Sequence, residues 1–180
     1  DRIARFGHQC RPTNYAAFFR NEDGRVWQAK LASPLSDEKG KPRKYESPTW
    51  EIAGGARAYF PPIPDSIREK ISRRWGVPVP FDCNFWEWVA RFPLIPICLT
   101  EGGKKALSLL SEGVVAIALY GVNAGLQSKN KEGLAIEPTL IPDLHHLFFG
   151  ANRQVSLGFD QDSKKETRDK VNAAIRKLGG

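Results

Sequence analysis

Acidic side chains follow two of the buried strands that the sequence predicts. Glu101 comes shortly after the apolar run 94–99, and Asp160 and Asp162 follow the run 154–159. Residues i and i+2 of an extended segment point to the same side, so the two aspartates converge. If the strands are parallel, all three carboxylates meet where open α/β sheets bind ligands, beyond the carboxyl ends of their strands. Mg²⁺ relieves the repulsion of such a group and takes carboxylate, water and phosphate oxygens, so this pattern predicts a metal site.

Each of these acids also has an ordinary structural explanation. Glu101 suits the first turn of a helix, where the helix dipole favours a negative charge. Asp160 or Asp162 could cap the last helix, although Ser163 already suits that position. The coincidence of three acids at matching ends of two buried strands favours the metal site over three separate structural roles.

The elements that would position these acids alternate between strand and helix over residues 93–180. Apolar runs at 94–99, 114–120 and 154–159 predict strands covered on both faces. Helical patterns follow each of these runs, at 104–110, from residue 142 and from residue 163. The segment 121–141 is predicted to be a long polar loop. This order predicts an α/β fold with a Rossmann-like parallel sheet and right-handed crossovers.

Residues 1–92 have a different pattern, which predicts a separate N-terminal α+β region with basic hairpins. Asn21–Gly24 separates two β-prone runs and predicts a hairpin. Residues 42–46 predict a short exposed strand. A helix is expected over 65–75, capped by Asp65 or Ser66, and the aromatic residues of 81–92 are expected to pack in the core.

Composition narrows the class of protein. The 180 residues are 41% apolar and 26% charged, which excludes a disordered chain, and no apolar run is long enough to span a membrane. Three cysteines without a CxxC pair fit a reducing, cytoplasmic setting. Because the chain contains no methionine, we expect it to be a piece of a longer polypeptide.

The net charge of +7 favours a polyanionic partner, although such a surplus also occurs on proteins that bind no nucleic acid. Tyr45 lies next to basic residues and would either stack on a base or pack across strands. The basic candidates for phosphate contacts, each otherwise a solvated surface charge, are Arg43, Lys44, Lys105, Lys129 and Lys131.

Other motifs predict little. His8, Cys10 and Cys83 lack the spacing of zinc ligands. Cys98 lies in an apolar strand and is expected to be a buried thiol. No Walker loop is present, so the sequence encodes no nucleotide-driven motor.

The segments Leu99–Leu107, Tyr120–Val122 and Val155–Asp162 together resemble a Toprim domain of the DUF3854 type. Such domains occur in plasmid, phage and cyanobacterial replication proteins, often beside a helicase or primase-like region. Residues 40–48 resemble an element that precedes the Toprim part in those proteins. The resemblance implies that Asp160 and Asp162 bind Mg²⁺, or Mn²⁺ in its place. It also implies that Glu101 is a metal ligand or general acid/base, and that Lys104 contacts a phosphate.

Two features depart from that family pattern. Residue 103 is glycine, where relatives often have a larger or acidic residue. The sequence ends after the third helix of the α/β part, whereas Toprim domains usually add another strand. We therefore expect a truncated sheet and a metal site that lacks part of its ligands, and whether this fragment is active alone stays open.

The resemblance implies a nucleic-acid-processing module of a plasmid or mobile-element DNA replication protein. The expected reaction is Mg²⁺-dependent phosphoryl transfer, primarily primase-type nucleotidyl transfer. Expected partners are single-stranded or origin DNA, nucleotides, and a helicase or other replication domain in the same polypeptide. Two alternatives stay open: a Toprim-type nuclease or nickase, and a non-catalytic module that binds single-stranded or origin DNA.

Overall fold

The computed structural model describes residues 15–37, 39–49, 53, 55–130, 132–160 and 163–179. Strands and helices alternate through most of this part of the chain. In chain order the elements are β1 Ala16–Arg20, β2 Val26–Ser36, β3 Pro42–Glu46, α1 Asp65–Trp75, α2 Phe85–Arg91, β4 Ile97–Glu101, α3 Gly103–Ser111, β5 Ala116–Leu119, β6 Leu126–Lys129, β7 Ala135–Leu140, α4 Pro142–Phe148, β8 Val155–Gly158 and α5 Lys165–Gly179.

A three-stranded parallel sheet with the order β5-β4-β8 confirms the predicted α/β class. The central strand β4 pairs Glu101 with Leu119 on one side and Thr100 with Gly158 on the other. Every residue of β5 is buried, as its unbroken apolar sequence predicts for a strand covered on both faces. The same prediction was wrong for β8, which lies at the edge of the sheet and is largely exposed. The carboxyl ends of β4, β5 and β8 therefore lie at one edge of the sheet.

The N-terminal strands form a separate antiparallel sheet with the order β1-β2-β3. The predicted hairpin at Asn21–Gly24 is confirmed, and Gly24 supplies the positive φ of +80° that its turn requires. Strand β3 occupies the predicted residues 42–46. It pairs with β2 through Ala29 with Glu46 and Lys30 with Tyr45.

Two local predictions were wrong. The segment 121–141 is not a loop throughout, because β6 and β7 pair as an antiparallel hairpin. Its turn is closed by the side chain of Asn130, which accepts the backbone N–H of Leu134 at 2.9 Å. Helix α1 has its predicted bounds, but Pro64 is its N-cap residue and no side chain caps it. Proline at that position pre-sets an extended backbone, so the helix starts without Asp65 or Ser66 as cap.

Residues on both sides of the predicted boundary at 92 share one hydrophobic core. Tyr59 bridges to the edge strand β5, since its N–H donates to the carbonyl of Ala118 at 2.8 Å. The Asp143 carboxylate of α4 accepts hydrogen bonds from Arg57 Nε at 3.0 Å and from the N–H of Ala58 at 2.8 Å. These contacts join the N-terminal region to β5 and to α4.

Candidate functional site

A groove of about 420 Å³ lies at the carboxyl edge of the parallel sheet, and we call it the edge groove. Its walls come from four places: the junction of β4 with α3, the residue after β5, the segment after β8, and the N-terminal antiparallel sheet. The lining residues are Gln28, Tyr45, Glu101, Gly102, Gly103, Lys104, Lys105, Tyr120 and Asp160.

Two of the three predicted acids line this groove. Glu101 is the last residue of β4, and Asp160 lies two residues beyond the end of β8. Because β4 and β8 are hydrogen-bonded neighbours, their backbones run about 4.8 Å apart. The register of Thr100 with Gly158 brings both acids just past the same edge. Glu101 and Asp160 therefore line one groove at this edge, while their joint role as metal ligands stays a prediction.

The third predicted acid, Asp162, lies outside the described residues. Within the described part of the chain, no group of three or more His, Cys, Asp and Glu side chains could hold a metal ion. The pair Glu101 and Asp160 provides hard oxygen donors in an open groove, which suits a Mg²⁺ ion that also keeps water and phosphate ligands. His8 and Cys10, considered above for zinc, also lie outside the described residues.

Asp160 is paired with Lys105 of α3. The Lys105 Nζ lies 2.5 Å from Asp160 Oδ1, and the two side chains are 40% and 70% exposed. An ion pair this exposed contributes little to stability, typically below about 1 kcal/mol. A ligand in the edge groove can therefore separate the two side chains at low cost.

Glycines allow the start of α3 to approach the N-terminal sheet. Gly102 has φ of +82°, a conformation that other residues rarely adopt. A Cβ on Gly103 would lie 2.9 Å from Phe19 Cδ1 and 3.2 Å from both Trp27 Cζ3 and Tyr59 Cδ1. These close contacts leave no room for a larger side chain at residue 103. The next residue, Lys104, is exposed beside Glu101 in the first turn of α3.

A stack of three aromatic rings packs between the N-terminal sheet and the parallel sheet, next to the edge groove. The ring of Trp27 lies between Tyr59 and Tyr120, with ring centroids 4.8 Å and 4.6 Å apart. The Tyr120 hydroxyl donates to the Trp27 carbonyl at 2.7 Å. Burial raises the pKa of Tyr120 to about 12, so its hydroxyl stays neutral near neutral pH. Tyr120 is therefore a rigid, uncharged wall of the groove.

The predicted basic and aromatic residues are divided by the structure. Tyr45, Lys104 and Lys105 line the edge groove. Arg43 instead forms an ion pair with Glu46, whose side chain is 1% exposed, so this arginine is tied to its own strand. The exposed residues Lys44 and Lys129 do not line the groove. Lys131 lies outside the described residues.

Sequence reasoning missed two residues of the groove, Gln28 and Tyr120. A usable signal existed for Tyr120, because it follows β5 at the same carboxyl edge as Glu101. No local signal existed for Gln28, whose place depends on how the two sheets pack. Cys98, predicted to be a buried thiol, is only partly buried, and this burial raises the pKa of the thiol.

Comparison with known proteins gives one family and one relative. Residues 85–180 match a family described as a domain of unknown function, DUF3854. The chain is 39% identical over 146 residues to an uncharacterised protein of Picosynechococcus sp.. That alignment covers 79% of this chain and 14% of the relative, so the chain spans about one seventh of that protein. No solved structure matches significantly. Among the described helices, none is both long enough and apolar enough to cross a bilayer.

Proposed function

Because the chain belongs to the DUF3854 family of domains of unknown function, we propose its activity from the edge groove itself. The groove is the site of divalent-metal-dependent phosphoryl transfer on a nucleic acid. The observation that carries this proposal is the meeting of Glu101 and Asp160 at one rim with Lys104 and Lys105. Acids that hold a cation and bases that hold a phosphate are the two parts this chemistry requires.

Each charged residue has a role in this scheme. Glu101 and Asp160 would hold Mg²⁺ or Mn²⁺, with Asp162 as a third ligand. The metal, when bound, supplies charge neutralisation at the phosphate and lowers the pKa of an attacking hydroxyl. Lys104 places an ammonium at the start of α3, where backbone N–H groups also favour a phosphate. Lys105 lies one residue further and adds a second positive charge to that side.

Primer synthesis is the reaction that we propose within this class, in a Toprim-like site. It is supported by the order of the motifs, with Glu-Gly after the first strand and Asp-x-Asp after the third. The relative is several times longer than this chain, which leaves room for a helicase or other replication domain. The proposed partners are single-stranded or origin DNA and nucleotides, in the cytoplasm, within a plasmid or mobile-element replication protein.

One observation favours a second candidate, a module that binds single-stranded or origin DNA without catalysis. The Lys105–Asp160 pair already neutralises one of the two described acids. The groove can thus accept a polyanion without any metal. Phosphodiester cleavage is a third outcome, which the same assay separates from the other two.

The test compares the chain with its Asp160→Asn and Glu101→Gln variants on a single-stranded template with nucleotides and Mg²⁺. We expect primer synthesis that falls at least about 100-fold in both variants, since each loses a metal ligand. Mn²⁺ binding followed by electron paramagnetic resonance should weaken in parallel. Asp82→Asn, at an exposed position that does not line the groove, is the matched control.

Three other results would favour phosphodiester cleavage or DNA binding without catalysis, or would exclude the edge groove as the site. Nicking of plasmid without nucleotides, lost in Asp160→Asn, would replace synthesis by cleavage. Binding of DNA that persists with EDTA and in Asp160→Asn, with no product and no Mn²⁺ binding, would leave only the non-catalytic module. Activity that is unchanged in both variants would remove the edge groove from the chemistry.

A further inference from the structure

We infer that the N-terminal antiparallel sheet supplies a base-binding wall to the edge groove, with Tyr45 as the stacking platform for an unpaired base. The inference rests on the proposed function, because it takes the opposite wall to be the phosphate side. It follows that the substrate is a single-stranded nucleic acid and that the N-terminal region contacts this substrate directly.

The two walls of the groove differ in chemistry. Glu101, Lys104, Lys105 and Asp160 make one wall charged, and they come from β4, α3 and the segment after β8. The other wall consists of neutral side chains, Gln28, Tyr45 and Tyr120. A nucleotide has the same division, with an anionic phosphate at one end and a flat, uncharged base at the other. The volume of about 420 Å³ is within the range of small-ligand pockets.

Tyr45 differs from the other tyrosine of this groove in having a free ring. Among the described residues no other aromatic ring stacks on it, whereas Tyr120 is stacked on Trp27. The Tyr45 side chain is among the exposed large hydrophobic residues, at 37% exposure. An exposed aromatic ring beside phosphate-binding charges is the arrangement by which proteins hold unpaired bases.

The position of Tyr45 is rigid although its ring is accessible. It lies in β3 opposite Lys30 of β2, and the next residue, Glu46, is buried opposite Ala29. The ion pair of Glu46 with Arg43 ties this strand further. A ring presented by a paired strand loses little conformational entropy on binding, which favours affinity.

Gln28 adds a group that can recognise a base edge. Its amide offers both a donor and an acceptor, which matches the edges of bases. No other side chain or backbone group of the described residues forms a hydrogen bond with this amide. A base inside a duplex is stacked on both faces, so it cannot stack on Tyr45 without leaving its helix. The wall therefore favours single strands.

The test measures binding in EDTA by fluorescence anisotropy, so that no turnover contributes. The probes are a labelled thymidine oligonucleotide, the same backbone with abasic sites, and a blunt duplex. We expect Tyr45→Ala to weaken binding of the single strand about 5- to 140-fold, the range for loss of a base–aromatic stack. Tyr45→Phe keeps the ring and should stay within about threefold of the parent. Gln28→Ala should weaken binding less than Tyr45→Ala.

Controls separate stacking from a general loss of structure. Tyr15→Ala removes a tyrosine that is 79% exposed and does not line the groove, and it should bind like the parent chain. The abasic strand should bind the parent and Tyr45→Ala equally. Circular dichroism should show that Tyr45→Ala keeps its thermal midpoint.

The inference is overturned if the parent does not bind the single strand more tightly than the abasic strand or the duplex. It is also overturned if Tyr45→Ala binds like the parent, or loses affinity equally for the abasic strand. Failure of the proposed function looks different: base-dependent binding would remain in EDTA while Asp160→Asn left product formation unchanged. Conversely, product formation that needs Asp160 but ignores Tyr45→Ala would leave the function and remove only this wall.

Discussion

Two clusters of this chain each pair a basic side chain with an acidic one, but the first cluster is buried and the second is exposed. The first surrounds Arg68 of α1, a residue only 5% exposed. Its guanidinium donates to the carbonyls of Ile63 at 3.1 Å, Pro80 at 2.5 Å and Cys83 at 3.1 Å. It also lies 3.5 Å from Glu22, whose carboxylate accepts the N–H of Phe85 at the start of α2.

The second cluster is the Lys105–Asp160 pair in the edge groove, where both side chains are substantially exposed. A buried charge must have its bonds completed by the protein, because an incomplete set costs several kcal/mol. An exposed charge is completed by water and can exchange that water for a ligand. The Arg68 cluster, whose hydrogen bonds are all made within the protein, therefore stabilises the fold. The Lys105–Asp160 pair, which is open to water, is suited to binding a ligand.

Arg57 and Asp143 lie between these extremes, with side chains 21% and 18% exposed. Burial opposes the charge on Arg57, but Asp143 and Asp23 outweigh it, so the pKa of Arg57 is raised. This intermediate pair joins the N-terminal region to α4. We therefore expect substitutions in these three ion pairs to lower the free energy of unfolding by amounts that decrease as the burial of the pair decreases.

The largest effect is expected for Arg68→Met. The substitution leaves Glu22 without its cation and three carbonyls without their donor, so we expect a loss of about 3–5 kcal/mol in the free energy of unfolding. Urea unfolding followed by tryptophan fluorescence measures it. Arg73→Met, on the exposed side of the same helix, should change stability by less than about 0.5 kcal/mol. A loss below about 1 kcal/mol for Arg68→Met would contradict the assignment of this cluster to the fold.

An intermediate effect is expected for Asp143→Ala, which removes the acceptor for Arg57 and for the buried N–H of Ala58. Hydrogen bonds to a charged group are worth about 1.5–3 kcal/mol, so we expect a loss of that order in urea unfolding. Asp143→Asn keeps an acceptor and should recover part of the stability. Equal losses in the two variants would show that the charge of Asp143 alone matters.

The smallest effect on stability is expected for Lys105→Gln, at most about 1 kcal/mol, because its ion pair is exposed. Its effect should appear in binding instead. Loss of one phosphate contact lowers the dependence of log affinity on log salt by about 0.7 for single strands. Anisotropy titrations at several salt concentrations measure this slope. Lys177→Gln, exposed near the end of α5, is the control, and an equal change there would assign the effect to net charge alone.

The sequence was sufficient for the parallel sheet and for the convergence of Glu101 with Asp160. Strands β4 and β5 follow from local patterns, since a strand covered on both faces is a continuous apolar run. Strand β8 is largely exposed, but an acid that follows a parallel strand still lies at the carboxyl edge. The hairpin at Asn21–Gly24 followed from its turn chemistry in the same way. The β6–β7 hairpin was missed because its strands are short and largely exposed, so they lack an apolar signal.

Only the tertiary structure decided which residues face those acids across the groove. Tyr45 and Gln28 reach the site because Gly103 lets the aromatic rings of the N-terminal sheet lie against α3. Arg43 is drawn away by the buried Glu46, although its sequence neighbourhood is as basic as that of Lys44. The physical reason is one of range: periodicity and turn chemistry act over a few residues, whereas the packing of one sheet on another depends on side chains far apart in the chain.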